Sequence, residues 1–209
     1  GGTILYSFRS GFSDENVKVR TDTQPAIISK SVGAEYSLFV EPDKHYGTDL
    51  PVENMTISGL DKVPTIQNEP VQYWAELLSP TTGTTLAKYN HPYWGKYAAI
   101  TENNFGKGHA FYVGTYLNEK SISELYKYIL KKIGLWGSRQ KQHFPIINKQ
   151  LFRNDGTYLD FYFNYSKSSS DVIFNSTHGT ELINHFEINE GDKFELQPWG
   201  LQIFKVNQE

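Results

Sequence analysis

Two adjacent acids, Asp14 and Glu15, follow an arginine and a glycine in the stretch RSGFSDENVKV, Arg9 to Val19. The preceding run, GGTILYSF, reads as a strand. In an α/β protein the loop leaving a strand end is where active sites usually lie. The chemistry such acids could do is glycoside hydrolysis, which needs two carboxylates facing each other across a sugar, about 5 Å apart for retention. Neighbouring side chains of an extended segment point to opposite sides, so Asp14 and Glu15 cannot form that pair with each other. Either could instead bond a backbone amide, or lock onto Arg9 or Arg20 as a charge-assisted pair. Asp14 and Glu15 are therefore expected to serve structure or an interface rather than catalysis.

Other reaction centres are not legible. The chain has no cysteine, which removes thiolate nucleophiles, disulfides and cysteine metal sites together. No Gly-x-Ser-x-Gly elbow occurs; Ser10 precedes Gly11, but position 8 is Phe8. The histidines, His45, His91, His109, His143, His178 and His185, show no metal-ligand spacing, so neither a metal nor a cofactor is expected. Gly106-Lys107-Gly108 is followed by the strand-like run HAFYVGT instead of a helix, so it reads as hairpin punctuation and not as a phosphate cradle.

The elements that position these residues change character along the chain. Thr3–Phe8 reads as a buried strand, Gln24–Val32 as a short helix with Gly33 just past its end, and Tyr36–Glu41 as a second strand. That rhythm predicts a parallel sheet with crossovers. Residues from Pro42 to Pro70 read as irregular, with one short strand near Asn54–Ile57. Strands are expected at Val71–Leu78, Thr85–Tyr89, Ala98–Glu102 and His109–Thr115, the last two joined by a long hairpin connection. Ser121 and Glu124 form a capping-box pattern ahead of Ile122, Leu125, Tyr126, Ile129, Leu130 and Ile133 at helical spacing, with Gly134 as the stop. Beyond the polar connector from Trp136 to Gln142 the pattern becomes short strands: Ile146–Arg153, Tyr158–Tyr165, Asp171–Phe174, His185–Ile188, Lys193–Leu196 and Leu201–Val206. The fold class is α/β plus all-β, with a boundary near residue 138.

Composition narrows the partners. With 38% apolar and 21% charged residues in 209, the chain is globular, and a net charge of −3 lacks the basic footprint of nucleic-acid binding. No apolar run approaches the ~20 residues of a membrane span. The absence of cysteine fits a cytoplasmic protein. Asn-x-Ser/Thr triplets at Asn54, Asn164 and Asn175 are short enough to arise by chance. Aromatics reach 15%, which raises a free-standing carbohydrate-binding module as an alternative function, although strands and interfaces favour aromatics anyway.

Several ordered motifs carry a resemblance. GGTILYSFRSGFSDENVKV, Trp74-Ala75-Glu76-Leu77-Leu78, Ala87-Lys88-Tyr89, YAAITENNFGKGHAFYVGT, and the tail from FRNDGTYLDFYFNYS to LQPWGLQIF together resemble the C-terminal part of glycoside hydrolase family 42 β-galactosidases. The resemblance implies a trimerisation domain over 1–135, flavodoxin-like and similar in fold to class I glutamine amidotransferases but without their activity. It also implies a small antiparallel β-sandwich over 143–209. The family's catalytic glutamates lie on a (β/α)₈ barrel that this chain does not match, and strand–helix units that precede the Gly-Gly-Thr strand are not matched either. The expected role is thus non-catalytic assembly, with the barrel of a parent enzyme and a homotrimer as partners. An independent enzyme with an unrecognised site is the further alternative. Arg9, Asp14, Glu15, Asn16, Trp74 and Glu76 are the candidate locking or interface residues.

Overall fold

The structure is a computed structural model that describes residues 1–42 and 55–207. The chain divides into two compact units, Gly1–Ile133 and Gly134–Glu209.

The strands of the first unit are β1 (Thr3–Ser7), β2 (Ala34–Glu35), β3 (Phe39–Val40), β4 (Thr56–Gly59), β5 (Glu69–Pro70), β6 (Ala75–Glu76), β7 (Ser79–Pro80), β8 (Thr84–Asn90), β9 (Ala98–Phe105) and β10 (Gly108–Val113). Its helices are α1 (Ser29–Val32), entered through a 3₁₀ turn at Ala26–Ile28, and α2 (Glu119–Lys132). Six strands form one sheet in the order β1-β10-β9-β8-β4-β5. The sequence rhythm predicts a parallel sheet, and here the structure differs. Only β1 and β10 are parallel; every other neighbouring pair is antiparallel. The cause lies in the connections. Phe105 pairs with Gly108 across the two residues Gly106 and Lys107, a turn too short for anything but antiparallel strands. The parallel partners β1 and β10 are joined by the long excursion between Ser7 and Gly108.

Each face of this sheet has its own core. Leu125 and Ile129 of α2 pack on Ile100, Phe111 and Val113 on one side. On the other, Val32 of α1 packs with Tyr36, Leu78, Ala98, Ala110 and Tyr112. Leu5 of β1 joins the first cluster and Tyr6 the second, in keeping with strand alternation. β1 is nevertheless an edge strand, with Ile4 45% exposed, and not the buried strand its composition predicts.

Helix boundaries also shift. Asn118, not Ser121, caps α2; its Oδ1 accepts the Ser121 N–H at 2.9 Å. The buried Glu69 closes the same end, accepting the Asn118 N–H at 2.6 Å and the Ser121 hydroxyl. A carboxylate at a helix N-terminus meets the positive end of the dipole. A second buried glutamate, Glu102, accepts from Lys132 (2.7 Å), Tyr128 Oη (2.8 Å) and Lys62, fastening α2 to β9. Burial raises the Glu102 pKa, but the hydrogen bonds from Lys132, Lys62 and Tyr128 outweigh it and hold the carboxyl below its usual range.

Of the expected strand Tyr36–Glu41 only β3 forms, and of that at Val71–Leu78 only β6; β2 and β7 lie just outside those spans. β2 pairs antiparallel with β7 and β3 with β6. The expected strand near Asn54–Ile57 begins at Thr56; Asn54 and His45 lie outside the described residues.

The second unit contains β11 (Ile146–Phe152), β12 (Thr157–Asn164), β13 (Ser170–Ile173), β14 (His178–Glu181), β15 (Glu187–Asn189), β16 (Lys193–Leu196) and β17 (Leu201–Asn207). A five-stranded antiparallel sheet, β11-β12-β17-β14-β15, and the antiparallel pair β13-β16 enclose Tyr162, Val172, Phe174, Phe194, Leu196, Phe204 and Val206. β14 has no counterpart in the sequence reading, because His178-Gly-Thr-Glu181 lacks large apolar residues. The expected strand at His185–Ile188 moves to Glu187–Asn189. Asn164 is buried, and its amide donates to the carbonyls of Ser168, Leu196 and Gln197, so this triplet is a structural clamp.

Gly33 separates two kinds of turn glycine. It ends α1 at φ 64, and a Cβ there would stand 2.5 Å from the Gly83 nitrogen. Gly156, at φ 76, has nothing within 4 Å of such a Cβ. Gly156→Ala is expected to cost about 1 kcal/mol, the strain of a left-handed alanine. Gly33→Ala should cost clearly more, because backbone must also move. Urea unfolding read by hydrogen exchange within each unit tests this; equal shifts would refute the Gly33–Gly83 contact.

Candidate functional site

The loop after β1 is built around its own backbone. Asp14 Oδ1 accepts the N–H groups of Asn16 and Lys18, both at 2.9 Å, and the Asp14 N–H donates to the Lys18 carbonyl. A short acid that accepts from the following amides is a standard turn lock. Arg20 Nε donates to the Ser13 carbonyl at 3.3 Å, and Ser13 bridges Val19. The arginine–carboxylate lock foreseen within this loop does not form. Glu15 and the Asn16 side chain are exposed at the loop tip, beside Val17 at φ 63 and 83% exposed.

Arg9 finds its carboxylate elsewhere in the sequence. At φ 63, its backbone N–H donates to Glu76 Oε1 at 2.8 Å. The same oxygen accepts from Tyr36 Oη at 2.8 Å and Trp74 Nε1 at 3.1 Å, and Oε2 accepts from Tyr112 Oη at 2.8 Å. Glu76 itself is fully buried. Its N–H donates to the Gly114 carbonyl at 2.7 Å, and its carbonyl accepts from Tyr89 Oη at 2.8 Å. One residue thereby ties the end of β1, Tyr36 just after β2, β8 and β10 to β6.

A turn aims Trp74 at this carboxylate. Tyr73 sits at φ 63 while the Trp74 N–H donates to the Gln72 carbonyl at 2.6 Å, a three-residue turn that L-residues seldom adopt. Thr115 Oγ1 holds the Trp74 carbonyl at 2.7 Å. The indole stacks on Phe39 with centroids 4.1 Å apart and meets Phe12 edge-on at 6.3 Å. The Arg9 guanidinium lies 5.1 Å from the Trp74 centroid and 5.2 Å from that of Phe12. Such cation–π contacts contribute roughly 0.5–1 kcal/mol at exposed sites. The result is an aromatic ledge, partly open to solvent, whose underside is hydrogen-bonded to a buried anion.

Burial raises the Glu76 pKa, and the bonds from Arg9, Tyr112, Tyr36 and Trp74 only partly offset it. Burial and the neighbouring Glu76 charge likewise push the Tyr36 and Tyr112 hydroxyls up, so both stay protonated donors. Both carboxylate oxygens accept from protein donors and none of the residue faces solvent, so a substrate has no access to it. The arrangement holds structure; it is not an acid/base pair. Among the described residues, no group of His, Asp or Glu side chains is arranged to hold a metal ion.

Of the six candidate residues, Arg9, Trp74 and Glu76 meet at one site, Asp14 locks the adjoining loop, and Glu15 and Asn16 stand apart from it. Tyr36, Tyr112, Phe12 and Phe39 escape sequence reasoning. A buried glutamate with aromatic neighbours in other strands is the only signal that could have found them.

Residues 1–136 match the family described as Beta-galactosidase trimerisation domain. The chain belongs to the β-galactosidase trimerisation-domain family. It is similar to β-galactosidase BgaA of Clostridium cellulovorans, with 25% identity over 211 residues covering 99% of this chain and 29% of that protein. β-Galactosidase BgaB of a Geobacillus species is 28% identical over 136 residues, covering 63% of this chain and 18% of the relative. In fold, the chain resembles the β-galactosidase crystal structure from Bacillus circulans sp. alkalophilus, with a TM-score of 0.77 at 18% identity over 99% of this chain and 29% of that one. The trimerisation-domain chain thus spans under a third of the length of the BgaA relative. In common with these structures it is mostly β, with a mixed sheet and few helices. Among the described residues no helix is long and apolar enough to cross a membrane.

Removing the buried anion should unbind the ledge. Glu76→Ala orphans four donors and is expected to cost about 3–5 kcal/mol. Glu76→Gln keeps the shape and most acceptors and should cost less. A folded-state pKa above the unfolded value means the Glu76 contribution is full below the unfolded carboxylate pKa and is lost as pH rises through the folded one. The stability advantage of the native chain over Glu76→Gln should therefore shrink from pH 4 upward. Urea titrations across pH check this, and an advantage that grows with pH contradicts the assignment.

Proposed function

We propose that the chain is the non-catalytic assembly region of a longer enzyme, a retaining β-galactosidase that releases terminal non-reducing β-D-galactose from β-D-galactosides. The observation that carries the reading is the Glu76-anchored ledge in a chain of the trimerisation-domain family. Every acid of that site is spent on holding backbone and aromatic groups, and the surface it creates is apolar. Val17, Val19, Leu38 and Phe39 are 83%, 51%, 52% and 45% exposed on the segments it fastens. Apolar and aromatic groups with an arginine are the composition of subunit contacts.

In this reading the ledge, with Arg9, Trp74 and the Asp14-locked loop bearing Glu15 and Asn16, faces a neighbouring subunit of a homotrimer. The catalytic (β/α)₈ barrel belongs to the rest of the parent enzyme, which works in the cytoplasm without a cofactor.

The purified 209 residues should not turn over a chromogenic β-galactoside, and galactose titration should give no saturable binding. Turnover would make this an independent enzyme, and saturable binding would favour a sugar-binding module. In the longer enzyme, Phe39→Asp should lower the sedimentation coefficient toward that of a monomer. A Phe39→Asp protein that sediments as an unaltered trimer would place the contact on another surface.

A further inference from the structure

The outer face of the second unit's sheet is apolar over three strands and polar over the other two. β12 alternates strictly. Asp160, Tyr162 and Asn164 point into the core, while Leu159, Phe161 and Phe163 line the outer face. Phe161 and Phe163 lie nearly coplanar, their centroids 6.3 Å apart at 9°. The register sets aliphatic residues on both sides of this stripe. Leu151 and Ile147 of β11 face Leu159 and Phe163; Ile203 and Leu201 of β17 face Phe161 and Phe163. Leu151 is 56% exposed and Leu201 40%. On β14 and β15 the same face turns polar, with Thr180 Oγ1 bonded to Glu187 and His178 paired to it.

A sheet apolar on both faces is a middle layer, and the missing layer has definite dimensions. Three strands about 4.8 Å apart are roughly 10 Å wide, and three outward residues along a strand span about 14 Å. That is the footprint of one α-helix, about 10 Å across and some nine residues long. Charge is also placed. Lys149 and Lys205 complete the outer rows on the two flanking strands, opposite Phe161 and Leu159. Neither makes an ion pair among the described residues, although Asp155, paired with Arg153, lies near enough to feel Lys205.

We infer that this face is the docking surface for an amphipathic α-helix with a Leu/Ile/Phe stripe and carboxylates along both flanks. The helix belongs to the part of the longer enzyme outside these 209 residues, so the inference rests on the proposed function. A second copy of the same face fits poorly. It would press like-charged lysine pairs together, and a self-complementary patch closes dimers, not trimers.

The cysteine-free chain allows a direct test. Leu151→Cys, Leu201→Cys and, as a control on β16, Lys193→Cys are made in the 209 residues and in the longer enzyme. Each is labelled with a maleimide and read peptide by peptide. In the 209 residues all three should react at similar rates. In the longer enzyme the two face positions should slow at least about ten-fold, equivalent to roughly 1.4 kcal/mol of docking, and Lys193→Cys should not. Carbodiimide should couple Lys149 and Lys205 to acids of one helix outside the 209 residues. Equal labelling at all three sites, or coupling of the two lysines to a second copy of this sheet, overturns the inference. A trimeric, active enzyme with unprotected thiols removes this inference alone, whereas a gene encoding only these residues removes both readings.

Discussion

One buried carboxylate organises the first unit. Glu76 places a carboxyl group in a region without water, where an unpaired anion is prohibitively costly. It is tolerated because four donors from four separate segments converge on it. Three of the donors, Arg9, Tyr36 and Trp74, come from short irregular backbone, only Tyr112 from the regular strand β10, and the acceptor's own strand β6 has two residues. Such pieces cannot hold register through ladder bonds alone, and the convergent anion supplies what the ladders lack. The positive φ at Arg9 and at Tyr73 follows from the same demand, since each residue is bent to bring a donor to one point.

Glu69 and Glu102 repeat the logic at the two ends of α2, one accepting from the helix cap and the other from lysines and a tyrosine. Glu102 and Glu76 differ in sign. Glu102 gathers cations and is held ionised, while Glu76 gathers neutral donors and is pushed toward the protonated form. Charge pairing at Glu102 adds to the apolar packing of the helix, whereas the carboxyl beneath the aromatic ledge contributes through neutral hydrogen bonds.

Much of the regular structure was legible in the sequence, and the failures are instructive. The paired strands β9 and β10, helix α2 and most of the tail follow from periodicity and turn residues. Sheet direction did not, because strand–loop–helix–strand spacing near the start resembles a parallel unit, whereas β1 pairs in parallel only with the distant β10 and the two-residue turn at Gly106-Lys107 makes β9 and β10 antiparallel. β14 was missed because its pairing is backbone-driven and its residues are small or polar. At the site, Arg9, Trp74 and Glu76 were singled out through family motifs, but their meeting was invisible. Residues 67 positions apart touch through a backbone N–H, which no side-chain pattern records. The acids that looked most chemical, Asp14 and Glu15, proved local or solvent-facing.

The Trp74 indole belongs at once to the interior and to the surface: its N–H is bound to the hidden anion and its ring is stacked on the half-exposed Phe39. A chain in which the distant segments have not yet met has no anion cage, and hence nothing to hold the indole flat or the Arg9 guanidinium above it. The ledge therefore exists only on molecules in which those segments have met. Under the proposed function, maturation and recognition share a checkpoint, because an incomplete chain lacks the face by which to join an assembly.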